Sequence, residues 1–223
     1  MLGVERAHVG PLLWRVLGFS FVACAALLWL ISSAPAREIG TRKIAAFPIA
    51  GQLPTTAVSR PTPAWTEFCQ RIPTECRIDL SEPATIRLSR ETWNIIQAVN
   101  NRVNASVTPL SDQDHWGIPD RWDLPNDGYG DCEDIQLLKR KLLAERDLPR
   151  RAMRMTVVID RLGDGHAVLM VRTDRGDFIL DNKTDAILPW VRTGYVFAKR
   201  EGHDSAAWVS LGWAASPVAT ANR

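Results

Sequence analysis

Cys132 stands in the run YGDCEDIQLLKRKLL (Tyr129–Leu143), with Asp131, Glu133 and Asp134 around it. His166 follows a glycine-containing turn in GDGHAVLM, and Asp181 closes FILDN. A thiol, an imidazole and a carboxylate are the parts of a covalent acyl-transfer site. The thiolate attacks a carbonyl, the imidazole takes the thiol proton and later protonates the leaving amine, and the carboxylate fixes the imidazole tautomer. Cys132 also falls at a predicted helix start, where free backbone N–H groups and the positive end of the dipole favour a thiolate. Taken singly, a histidine at a strand start and an aspartate at a strand end have ordinary structural explanations. Their combination with a cysteine left outside the expected disulfide is what points to catalysis. Of the remaining histidines, His115 is the alternative base.

Carboxylates beside a thiol raise its pKa and blunt it as a nucleophile. A divalent cation held by Asp131 and Glu133 would reverse that local charge. Hard oxygen ligands favour calcium over zinc. Asp134 is a third candidate ligand. The alternative is that all three acids only serve the positive helix start. With Asp131 and Glu133 on either side of Cys132, the cation is expected beside the cleft and clear of the sulfur.

The elements that must position these residues are legible in outline. SRETWNIIQAVNNRVNASV reads as a helix capped by Ser89, with Trp93, Ile96, Val99 and Val103 on one face. Ser111–Gly130 reads as a loop rich in Gly, Pro and Asp, holding Trp116 and Trp122. The following helix, Cys132 to about Arg146, is expected to bury Ile135, Leu138 and Leu142 and to expose the basic cluster Lys139–Lys141. From Ala152 onward, RAMRMTVVID, HAVLMVRTD and DFILDN are strand-like runs separated by RLGDG and RG turns, with GYVFAKRE a further strand. Helices followed by an antiparallel sheet make an α+β domain over 64–213.

The start of the chain differs in kind. Arg6 and Arg15, the apolar run Val16–Ile31 and the small residues Ala34 and Ala36 predict a secretory signal over 1–36, with an N-terminal membrane anchor as the alternative. Residues 37–63, with Pro48, Pro54, Pro61 and Pro63, read as a linker or extended arm, and 214–223 as a disordered tail. Export places Cys69 and Cys76 of FCQRIPTEC in an oxidising compartment, spaced to close a short disulfide loop. Two free thiols or half a metal site are the alternatives, and no second Cys/His pair with ligand spacing completes the latter. Cys24 leaves with the signal or lies in the membrane, and Cys132 is then the odd thiol. The formal net charge of +2 points to no nucleic-acid partner.

GDCED opening a helix, HAVL on a strand and LDN closing the next resemble the bacterial transglutaminase-like cysteine proteinases, and within them the LapG-type periplasmic adhesin proteases. The resemblance covers roughly Ala64 to Arg200. It implies a papain/transglutaminase-like fold with Cys132, His166 and Asp181 as triad, and calcium dependence through the acids flanking the cysteine. It further implies a periplasmic endopeptidase that trims the N-terminal region of a large surface adhesin to control biofilm attachment. An inner-membrane cyclic di-GMP receptor that sequesters the protease comes with the same resemblance. An amidase or crosslinking transglutaminase shares the acyl-enzyme chemistry and stays open, as does a non-catalytic calcium-binding partner protein.

Overall fold

A computed structural model describes residues 51–212; the predicted signal, most of the predicted arm and the tail lie outside them. Among the described residues, five α-helices and a seven-stranded antiparallel sheet form an α+β architecture. Helix α1 (Pro63–Arg71) has Pro63 at its first turn, and the Thr62 hydroxyl accepts from Trp65 N. Helix α2 (Pro73–Cys76) follows at once, and the Cys69–Cys76 disulfide ties the two together. Helix α3 (Arg90–Ser106) is capped by Ser89, as the sequence predicts, here in a capping box with Thr92, and buries Ile96, Val99 and Val103.

The sheet runs in the order β1 (Ala57–Ser59), β9 (Trp208–Ser210), β8 (Val196–Glu201), β4 (Met153–Ile159), β5 (Gly165–Thr173), β6 (Gly176–Leu180) and β7 (Leu188–Pro189). Alternation divides its strands between two cores. Met153, Met155, Val157, Ala167, Leu169 and Val171 join the helices, while Val168 and Met170 pack with Val158, Ile179 and Phe197. Helix α5 (Cys132–Ala144) touches β4, β5 and α3, so its buried surface extends well round the helix.

Four expectations need correction. The basic cluster on α5 is not a solvated face: Lys139 and Arg140 are buried. Lys139 donates to the Asp181 carbonyl at 2.9 Å, and Arg140 pairs with Glu201 at 2.8 Å while donating to the Glu75 carbonyl. Leu138 and Leu142 are only half-buried, and Leu137 and Leu143 take the core positions instead. The Trp loop contains a short helix, α4 (Asp112–Trp116), capped by Ser111 and ended by Gly117 at φ 73°. It also carries β3 (Tyr129–Gly130), which pairs in parallel with β2 (Thr108–Pro109) just before Cys132. Lastly, part of the proline-containing arm is sheet: β1 adds to β9, and Leu53 N donates to Asp177 Oδ2 at 2.8 Å. Among the described residues no helix is long and apolar enough to cross a membrane.

Candidate active site

Cys132 is the first residue of α5, and its position is set from both sides. Upstream, Trp122 is buried between Trp65 and Trp208, with ring centroids 5.3 and 6.2 Å away, which anchors the loop. Gly130 allows close approach to the helix: a Cβ there would lie 2.8 Å from the Asp134 Cβ. Downstream, α5 packs on β5, and the Ala167 N–H lies 3.4 Å from Cys132 Sγ. The residue preceding Ala167 is His166, whose Nε2 stands 2.8 Å from Asp181 Oδ1. Its Nδ1 is buried and makes no hydrogen bond, so one ring nitrogen is fixed by the carboxylate and the other is left for proton transfer.

Asp181 is held on every side. Oδ1 accepts from the Lys183 N–H at 3.0 Å, and Oδ2 accepts from the Tyr195 hydroxyl at 2.5 Å. Its carbonyl accepts from Lys139 and, at 3.0 Å, from Asn104, which couples β6 to α5 and α3. Burial raises the pKa of the Asp181 carboxyl, but His166, the Tyr195 hydroxyl and the Lys183 N–H outweigh it, so the net shift is downward. Asp181 therefore stays ionised beside the imidazole. Burial also pulls Lys139 down to about 7, against the pull of Asp181 and Asp185.

The thiol meets the opposite situation. Cys132 is fully buried, and burial followed by the Asp131 charge pushes its pKa well up. Sγ donates to Glu133 Oε2 at 2.9 Å, so one of the flanking acids turns toward the sulfur. A residue adjacent to a helix's first position turns its side chain into the same crowded start. The Glu133 carboxylate is fully buried there.

Structure brings more acids to this place than the run around Cys132 suggested. Asp112, Asp131 and Asp134 each present an oxygen within 4.8 Å of the others, and so do Asp112, Asp120 and Glu133. Asp112 and Asp120 come from the Trp loop and were not predicted. The only signal for them was the density of aspartates in SDQDHWGIPDRWD. Both Asp131 carboxylate oxygens, Glu133 Oε1 and Asp112 Oδ1 are buried with no hydrogen-bond donor. Asp131 sits at the N-cap position of α5 yet makes no capping bond, so service to the helix start does not explain it. Burial, chiefly, lifts Asp112 to about 6, Asp131 to about 7 and Asp134 to about 9, and Glu133 well above its ordinary value. Orphaned, buried, convergent carboxylate oxygens are what a hard cation needs, and without one they are costly. These residues fit a calcium ion.

The sequence profile of the family described as bacterial transglutaminase-like cysteine proteinase BTLCP matches residues 55–215. The chain belongs to that family. Such a proteinase acts on protein, and the α+β arrangement with a cysteine at a helix start is in keeping with it. Among solved structures, LapG of Legionella pneumophila is similar to this proteinase at 25% identity, over 54% of this chain and 70% of that one, with a TM-score of 0.46. The calcium-bound form of the Legionella protein aligns at 21% identity, over 61% of this chain and 77% of that one, with a TM-score of 0.47. No curated protein matches the chain.

Proposed function

We propose that this transglutaminase-like proteinase is a calcium-dependent cysteine endopeptidase with Cys132 as nucleophile, His166 as base and Asp181 as the residue that orients it. The observation that carries this reading is the meeting of the buried helix-start thiol, the Ala167 N–H at 3.4 Å and the His166–Asp181 pair at 2.8 Å. His166 takes the Cys132 proton as sulfur attacks the scissile carbonyl. It returns that proton to the amine as the C–N bond breaks, leaving an acyl thioester on Cys132. Water, deprotonated by His166, then hydrolyses the thioester and frees the thiol. Asp181, kept ionised by its three donors, stabilises the imidazolium in both halves.

Asp112, Asp120, Asp131, Glu133 and Asp134 are the residues that would hold calcium. When bound, the ion supplies positive charge that neutralises these carboxylates and lowers the pKa of the neighbouring thiol. In the same reading the enzyme is exported to the periplasm and cleaves the N-terminal region of a large surface adhesin. An inner-membrane cyclic di-GMP receptor would restrain it. This part rests on the resemblance of the GDCED, HAVL and LDN motifs alone. The test is to compare surface-retained and released adhesins in cells carrying the wild-type enzyme or Cys132→Ala. Loss of adhesin release with Cys132→Ala is expected; equal release by both would overturn the proposal.

A further inference from the structure

The Asp181 carboxylate divides its work between two oxygens. Oδ1 faces His166 Nε2, while Oδ2 accepts from the Tyr195 hydroxyl at 2.5 Å. Tyr195 lies just before β8, and its ring stands edge-on to the His166 imidazole, centroids 5.8 Å apart at 81°. One side chain thus touches both partners of the pair. Asp181 and Tyr195 also border a cavity of about 530 Å³, walled further by Ile179, Leu188 and Lys183. Water entering that cavity would compete for Oδ2 and loosen the carboxylate. The hydroxyl already in place removes that competition.

We infer that Tyr195 is a positioning residue of this enzyme: its hydroxyl fixes the Asp181 carboxylate and its ring confines the His166 imidazole. The inference rests on the reading of Cys132, His166 and Asp181 as catalytic. Burial, then the hydrogen bond to Asp181 and the Asp181 charge, push the phenol pKa up, so Tyr195 remains a donor throughout the neutral range. Donation to Oδ2 also draws charge from Oδ1, which keeps the shared proton on Nε2 and the Nδ1 lone pair free for the thiol. A purely space-filling tyrosine would have no need of its hydroxyl.

The test is the alkylation rate of Cys132 by iodoacetamide in calcium-containing buffer at neutral pH, which needs no substrate. Tyr195→Phe keeps the ring and removes the hydroxyl. It should slow alkylation about tenfold, the worth of one hydrogen bond to a charged group. Its thermal midpoint should fall by only about 5 °C, so that the variant stays folded at the assay temperature. In an Asp181→Asn background the same change should add little, because the hydroxyl acts through that carboxylate. His166→Ala serves as the reference. If His166→Ala slows alkylation but Tyr195→Phe does not, or if Tyr195→Phe and Asp181→Asn add in full, the role of Tyr195 is refuted while the triad stands. If His166→Ala leaves the rate unchanged, the triad reading falls and this inference falls with it.

Discussion

Adding calcium to the chelator-treated protein at pH 7 should drive protons into solution. Burial holds Glu133 well above its ordinary pKa, Asp134 at about 9, Asp131 at about 7 and Asp112 at about 6. At pH 7 Asp134 carries a proton, Asp131 is half protonated and Asp112 is largely ionised, while burial pushes Glu133 toward its protonated form. A bound cation requires all of them ionised, so Asp134, Asp131 and Asp112 alone should release about one and a half protons per ion, and Glu133 adds to that number. The apparent affinity should then rise at least roughly thirtyfold per pH unit near neutrality. Calorimetric titration in two buffers of different ionisation enthalpy counts the protons directly, and Asp131→Asn should lower the count. Calcium binding with no proton release would mean that these buried acids are not the ligands.

Reducing the Cys69–Cys76 disulfide, which spans a sequence separation of 7, should cost about 2 kcal/mol. That corresponds to a fall in Tm of roughly 5 °C, measured in a Cys132→Ala background so that the Cys132 thiol plays no part. Arg140→Met should be more damaging, about 3–5 kcal/mol by urea denaturation, because it strands the buried Glu201 carboxylate that also accepts from Met155 N. Adding Glu201→Gln should recover part of the loss; equal stability of Arg140→Met and wild type would show that the pair is not buried as described.

The sheet was legible because β4, β5 and β6 are β-branched and aliphatic runs between turn residues, a local signal. So was α3, whose cap and apolar face lie within one run. Cys132, His166 and Asp181 stood out through the chemistry of their types, and the structure brings His166 to Asp181 and the strand beside His166 to Cys132. What escaped depends on distant partners. Lys139 and Arg140 look like solvated cations until Asp181 and Glu201, separated by 42 and 61 residues, close over them. Asp112 and Asp120 are unremarkable loop aspartates until α4 and β3 fold the loop back onto Cys132. A proline-containing arm gives no local sign that Ala57–Ser59 will pair with a strand near the other end of the domain.

The central claim is a covalent route through Cys132, and rapid-quench intact-mass spectrometry of the enzyme during cleavage of an adhesin N-terminal fragment tests it most directly. The account predicts an acyl adduct on Cys132 with the mass of the N-terminal product less water, decaying to free enzyme as that product appears. In ¹⁸O-labelled water the new carboxylate should carry the label, as hydrolysis rather than amine transfer requires. Cleavage at full rate with no adduct, and undiminished cleavage by a folded Cys132→Ala protein, would contradict it.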